Sequence, residues 1–235
     1  MTAGRSELAT FPVRSRIPET ERRGVGGPGG PGLSPGGLAL LDRALAVCPL
    51  ATGARVLDVG CGQAEAVAYL RRRCGLRAFG LDLAPGLAGP AAASGLPVVQ
   101  ADGEHLPIRL AQLDAVLCEC TLSLLPGPAP ALRGFHDVLR PGGWLLLSDV
   151  FARPLTGALS AAPAGRAGAL SRPELEAELS GAGFQTLLWE DHTSALKTFL
   201  GRTIFQRGAL PAAWRAVTAG AAARLGYFLL VARRA

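Results

Sequence analysis

The 235-residue sequence predicts an α/β chain, a parallel sheet of seven strands with helices on both faces. Three observations carry this. Short apolar runs alternate with segments of helical period almost throughout the chain. The runs, such as GWLLLSDVF at 143–151, are short and nearly unbroken, as strands buried on both faces require. Acidic residues recur where these runs end, at Asp58, Asp82, Asp102, Glu119, Asp149 and Asp191. In open α/β sheets ligands bind beyond the carboxyl ends of the strands. Six acids at equivalent ends therefore predict a polar rim on one edge.

The elements follow in order. Residues 1–36, ending GVGGPGGPGLSPGG, form a flexible Gly/Pro-rich arm whose composition cannot bury a core. The domain proper is expected over 37–235. Residues 38–47 have helical spacing, and 55–60 (RVLDVG) are the first strand. Residues 64–74 make a helix stopped by Gly75, and 76–83 a second strand ending near Asp82. APGLAGPAAASG is a poor helix broken by Pro90. Strands three and four are 97–102 and 113–119. A helix over 128–143 is expected to stop at Pro-Gly-Gly before the fifth strand, 143–151. Ser171 and Glu174 make a capping box for the next helix, with Pro173 in its first turn. Residues 184–191 are strand six, 193–208 and 211–225 are helical by period, and 226–234 (GYFLLVARR) is the terminal strand.

Half the residues are hydrophobic and the mean hydropathy is +0.29, enough apolar material for a sizeable core. No run approaches the roughly 18 apolar residues of a membrane helix. The N-terminus has no apolar stretch of the secretory kind, and its arginines reflect a bias of the whole chain, where Lys197 is the only lysine. The five cysteines (Cys48, Cys61, Cys74, Cys118, Cys120) are odd in number. Free thiols in a reducing, cytoplasmic setting are the expectation. The net charge of +6 sits in short clusters without interleaved aromatics, which argues against a nucleic-acid platform.

The first loop, VLDVGCGQA at 56–64, decides between ligands. A dinucleotide fold wants G-x-G-x-x-G with pyrophosphate at the helix N-terminus. Gly60 and Gly62 fit, but Glu65 holds the third position, and Asp58 is a poor neighbour for an anion. No Gly-Lys-Ser/Thr follows, so a P-loop is absent. A cationic ligand reverses the argument. Asp58 can fix an ammonium group, Asp82 can accept two ribose hydroxyls, and Asp102 can take the exocyclic amine of a base. Amino acid, ribose and adenine in that order describe S-adenosylmethionine.

VLDVGCGQA resembles the first motif of the class I S-adenosylmethionine-dependent methyltransferases. GLDLAP, ADGEHLPI, LDAVLCECTLSLLP and VLRPGGWLLLSDVF are similar to the motifs that follow it in that family, over about residues 38–151, and GYFLLVARR resembles its end. The style is that of the small-molecule enzymes, the quinone-biosynthesis and arsenite methyltransferase-like groups. The resemblance implies a Rossmann-like seven-stranded sheet whose last strand is antiparallel. It implies S-adenosyl-L-methionine as cofactor and a small-molecule methyl acceptor. It places Asp58, Gly60, Cys61 and Gly62 at the aminoacyl end and Asp82 at the ribose. Asp102 and Gly103 lie at the adenine, with Leu83 and Cys118 also in the cofactor site. Ser123-Leu124 stands where the family often has a His-His pair. The Asn-Pro-Pro-Tyr of nucleic-acid amino methylation is absent.

An acceptor hydroxyl or carbon acid needs a base; the candidates are His192 oriented by Asp191, or Glu119. His105 and His136 read as structural or surface residues. Strand alternation places Cys118 and Cys120 on one face, where they could direct a thiol or arsenite chemistry with Cys61 as third ligand, or simply fill core. No resident metal is expected. Trp189, Phe199 and Phe205 shape an acceptor pocket or belong to the core, and 152–172 is a lid candidate. Two other readings stay open: a nucleotide-dependent oxidoreductase, and a non-catalytic protein of this fold.

Overall fold

The computed structural model describes residues 34–108, 110–153, 169–210, 214–215 and 225–235. Most of the expected arm (1–33), most of the lid candidate (154–168) and most of the helical segment 211–225 lie outside the described residues.

The seven strands are β1 (Arg55–Val59), β2 (Arg77–Asp82), β3 (Val98–Gln100), β4 (Leu113–Glu119), β5 (Leu139–Ala152), β6 (Phe184–Asp191) and β7 (Leu225–Arg234). They form one sheet in the order β3-β2-β1-β4-β5-β7-β6. β1 pairs in parallel with β2 and β4, β2 with β3, and β4 with β5, while β7 runs antiparallel to both β5 and β6. β6 therefore runs with the parallel strands, and its end, Asp191, reaches the carboxyl edge. Strand order reverses between β1 and β4, so the loops after these two strands flank the crevice.

Among the described residues six helices cover the sheet: α1 (Gly37–Val47), α2 (Glu65–Arg72), α3 (Pro85–Ala93), α4 (Pro128–Val138), α5 (Arg172–Gly181) and α6 (Thr193–Arg207). One face buries Leu40, Leu41 and Ala44 of α1, Val67 and Leu70 of α2 and Leu196 of α6 against Val56, Leu117, Leu146, Tyr227 and Leu229. The other buries Leu132 and Phe135 of α4 and Leu175 and Leu179 of α5 against Leu57, Val116, Leu145, Leu147 and Leu230. The alternation Leu145/Leu146/Leu147 splits one apolar run between two cores, which is why the strand shows no polar side.

Two elements depart from the sequence expectation. α3 runs through Pro90, since a proline forgoes one backbone bond and packing beside β2 and β3 outweighs it. α4 ends at Val138 rather than at the Pro-Gly-Gly of 141–143, because Leu139 is already extended and pairs with Leu113. The ladder slips until Ala115 meets Trp144, and the intervening Pro-Gly-Gly is a bulge with Gly142 at φ 72°. The capping box of α5 forms as expected: Glu174 accepts from the Ser171 backbone N–H at 2.7 Å, and the Ser171 hydroxyl accepts from the Glu174 N–H at 3.4 Å. Ser171→Ala is expected to cost about 1 kcal/mol, measured as a lower urea midpoint with an unchanged slope.

Candidate active site

The turn after β1 is built by close approaches. Gly60 has φ 74°, and its N–H and that of Cys61 both donate to the Leu81 carbonyl, at 2.8 and 2.9 Å. A Cβ on Gly60 would stand 2.1 Å from Thr121 Oγ1, in the loop after β4. The sequence argument gave this glycine to the ligand; in the fold its space is filled by Thr121. Cys61 in turn packs where a Gly80 side chain would be, and Gly103 packs against Val59. Ala64, which opens α2, is a non-glycine residue in the left-handed region at φ 59°, and nothing in the sequence marked it.

Around this turn stand the acids. Asp58 is 3% exposed. Burial first, then the charges of Glu119 and Asp82, push its carboxyl well above the ordinary range. Asp82 is also raised by burial, but it is held: Oδ2 accepts from the Gly62 N–H at 2.9 Å and Oδ1 from the Ala84 N–H at 2.8 Å. Each oxygen keeps a second lone pair for a ligand hydroxyl. Leu83 follows in the chain, its carbonyl accepting from Gln100 Nε2. Glu119, at the end of β4, is pushed up to about 7 by burial and by Glu65 at the head of α2, against a stabilising hydrogen bond from Ser148. Three carboxylates, Asp58, Asp82 and Glu119, thus crowd the switch point, and each of the perturbing charges named for them is another carboxylate.

The other three acids of the expected rim do different work. Asp102, beyond the end of β3, accepts from the Glu104 N–H at 2.9 Å and lies 3.3 Å from His105 Nδ1, which gives that turn its shape. Asp149 lies inside β5 rather than at its end. Its carboxylate accepts from the Ser123 N–H and hydroxyl, both at 2.8 Å, and from the Val150 N–H at 2.7 Å. It anchors the 3-10 turn Leu122–Leu124 that follows β4, and burial raises it to about 6 despite these donors. Asp191 accepts from the Thr193 N–H at 2.8 Å and so caps α6.

Several candidates are corrected. His192 does not pair with Asp191: its Nε2 lies 3.1 Å from Glu190 Oε2, and Glu190 is gripped by Arg43 of α1. β6 is the sheet edge three strands from β4, about 14 Å at ordinary strand spacing, so the His192–Asp191 pair is not brought to Glu119. Cys118 and Cys120 do not share a face. Cys120 sits just past the strand at φ 51°, which turns it toward the core of Tyr227, while Cys118 is sealed in the opposite core with Leu57 and Leu147. The Cys118 thiol therefore offers nothing to the crevice. All five cysteines are free, and burial holds the Cys61, Cys118 and Cys120 thiols well above the usual range, in their protonated form. Among the described residues no group of three metal-ligating side chains converges. Trp189 is core, stacked on Phe228 at 4.6 Å, and Phe199 packs on Trp214 at 5.0 Å. Phe205 is 91% exposed and shapes no pocket among the described residues. His136 packs edge-on against Phe184, as a structural residue.

Sequence reasoning missed Ser148, Tyr227 and Thr121. The signal for the first two was a lone polar atom in an apolar strand, Ser148 in LLLSDV and Tyr227 in GYFLLV.

Residues 57–147 match a family model described as a methyltransferase domain. Residues 57–147 are a methyltransferase domain. The ubiquinone biosynthesis O-methyltransferases of Xanthomonas oryzae pv. oryzae and Xylella fastidiosa are each 36% identical to this chain, over 115 residues (46% of this chain, 48% of theirs) and 106 residues (42% and 43%). The chain thus spans about half the length of these relatives. Among solved structures, the [4+2]-cyclase SpnF superposes with a TM-score of 0.65 at 26% identity, covering 83% of this chain and 80% of its own. The geranyl diphosphate C-methyltransferase of Streptomyces coelicolor A3(2), solved with S-adenosyl-L-homocysteine, gives 0.70 at 14% identity over 84% and 80%, a likeness of fold. The Rossmann-like sheet with an antiparallel last strand is thus a fold shared with these solved structures. Among the described residues no helix is long and apolar enough to cross a membrane.

The raised acids have a consequence for stability. Glu119 and Asp149 bind protons more tightly folded than unfolded, so their contribution is complete below about pH 4 and is lost as pH rises through about 6 to 7. Glu119→Gln is expected to flatten this fall by an amount on the order of 1–3 kcal/mol between pH 4.5 and 8 in the ligand-free protein. Urea unfolding across that range reads it; parallel curves for variant and wild type would show that Glu119 titrates as an ordinary carboxylate.

Proposed function

We propose that the protein transfers the methyl group of S-adenosylmethionine to a small-molecule acceptor at the carboxyl edge of the sheet. The observation that carries this reading is the acid cluster. Asp58 is buried beside Glu119 and Asp82, and among the described residues no cation offsets it. Such a cluster is costly until a cation enters it. S-adenosylmethionine brings an ammonium and a sulfonium to a turn whose glycines bring the backbone close. A pyrophosphate ligand would meet repulsion in the same place.

In this reading Asp58 holds the ammonium, with Gly60, Cys61 and Gly62 along the aminoacyl chain. Asp82 and Leu83 flank the ribose, and Asp102 and Gly103 the adenine. The cofactor supplies an activated methyl carbon, so the chain's own residues align the acceptor and take up its proton. Glu119, pushed to about 7, is the base placed to accept a proton from an acceptor hydroxyl near neutral pH. The relatives named as O-methyltransferases support a hydroxyl acceptor. A thiol-pair or arsenite chemistry is disfavoured by Cys118 and Cys120 facing opposite cores. The cyclase of the same fold is a reminder that fold alone does not fix the reaction, so turnover must be measured.

Calorimetric titration with S-adenosylhomocysteine is expected to give micromolar binding, and NADH none. Because Glu119, pushed up to about 7, holds a proton in much of the free protein near pH 6.5, S-adenosylmethionine binding at that pH is expected to release protons. The observed enthalpy should then change with the ionisation enthalpy of the buffer. Asp82→Asn is expected to weaken binding about 10- to 100-fold, through two charge-assisted hydrogen bonds. No binding of S-adenosylhomocysteine, or an affinity unchanged in Asp82→Asn, would overturn the assignment.

A further inference from the structure

Tyr227 is completely buried in β7, opposite Val150, among Leu117, Leu146, Leu229 and Val231. A phenylalanine would fill that space without a polar atom to satisfy. The hydroxyl is instead fully engaged. It donates to Ser148 Oγ at 3.1 Å, and it lies 3.0 Å from Cys120 Sγ. Ser148 is itself buried and stands directly across from Glu119 in the β4–β5 register, where its hydroxyl favours the Glu119 carboxylate. Hydrogen bonds link Cys120, Tyr227 and Ser148, and Ser148 carries that chain to the side of Glu119 at the carboxyl edge.

The direction of that chain follows from counting protons. Ser148 has one hydroxyl proton and accepts Tyr227's, so its own is committed to Glu119. Tyr227 gives its proton to Ser148, so its oxygen is left to accept the Cys120 S–H. Reversing every bond would end the chain on sulfur, a poor acceptor. The arrangement therefore favours a donor pointed at the Glu119 carboxylate, and linked bonds of this kind reinforce one another.

The backbone is bent to make the contact. Cys120 adopts φ 51°, a conformation that L side chains avoid, and this brings its thiol to the Tyr227 side. Its N–H still donates to the Ser148 carbonyl at 2.8 Å. Thr121 Oγ1 donates to the Glu119 carbonyl at 3.0 Å while filling the space above Gly60. Glu119 is thus fixed both through its main chain and through its carboxylate.

We infer that Tyr227, acting through Ser148 and steadied by Cys120, is a positioning residue for Glu119. This inference rests on the reading of Glu119 as the group that takes the acceptor's proton. The titratable groups facing Glu119 are Glu65 from α2, Asp58 from β1, Cys118 and Cys120 from its own strand and its extension, and Tyr227 from β7. Acids dominate the set, so the Ser148 donor is what favours the ionised form there.

The test is a carbon-13 titration of the Glu119 side-chain carboxyl in the full-length protein, free and saturated with S-adenosylhomocysteine, with Glu119→Gln to assign the signal. Ser148→Ala is expected to move the midpoint up by about one pH unit, as loss of a hydrogen bond to a charged group implies. Tyr227→Phe, which keeps the packing, is expected to move it up by about half a unit through the weakened Ser148 donor. Cys120→Ser, which keeps a donor at that position, should leave the midpoint where it is. A Tyr227→Phe protein that binds S-adenosylhomocysteine like wild type and titrates at the wild-type midpoint overturns the inference. If Tyr227→Phe does not fold, Cys120→Ala gives the same reading by an upward shift or none. A wild-type protein that binds no S-adenosylhomocysteine sinks the functional reading instead, and the Glu119 midpoints in the free protein still decide the role of Tyr227.

Discussion

Three carboxylates are packed together at one place in this protein, where the order of the strands reverses. Asp82 and Glu119 end their parallel strands and Asp58 stands one residue before the end of its own, and parallel strands in register bring these positions together. Their mutual repulsion and their burial both oppose ionisation. Much of the surrounding structure answers this one constraint. Asp82 is held by two backbone N–H groups, one from each loop it joins. Glu119 is served by Ser148. Asp58 is the acid left for a cation.

The loops that carry these groups are locked to one another rather than left free. Thr121 fills the space over Gly60, and Cys61 fills the space over Gly80. Asp149, buried in β5, pins the turn after β4 through Ser123. A polar crevice set on rigid supports can orient a ligand without rearranging, which suits a reaction whose chemistry depends on alignment. The strain at Ala64 and Cys120, both at φ above 50°, lies in the same two loops. A third left-handed residue other than glycine, Ala111 at φ 54°, lies apart from them in the turn before β4.

The fold was largely legible in the chain because its signals are local. Strands buried on both faces read as apolar runs, and helices between them read by period, so the alternation was visible without neighbours. The capping box at Ser171 and the Gly60/Gly62 turn are likewise written in adjacent residues. Two boundaries were misjudged, at Pro90 and at Leu139, and in both a contact distant in sequence outweighed the local preference. The histidine beside Asp191 was legible as a pair only in sequence. In space its partner is Glu190, reached across one residue on the same side of the strand, and Arg43 joins them from a helix 147 residues away.

What the sequence determined by itself was the architecture, the acids that close β2, β4 and β6, and the ligand class the acids of the first two loops suit, because each depends on the type and spacing of neighbouring residues. Tertiary structure alone decided which acids meet, that Asp149 and Asp191 serve as internal anchors, and that Cys118 and Cys120 part to opposite cores. It also decided that Tyr227, 107 residues beyond Cys120, closes a chain of hydrogen bonds on Glu119. Those outcomes depend on strand order, register and a single left-handed residue, and none of these is set by the residues adjacent in the chain.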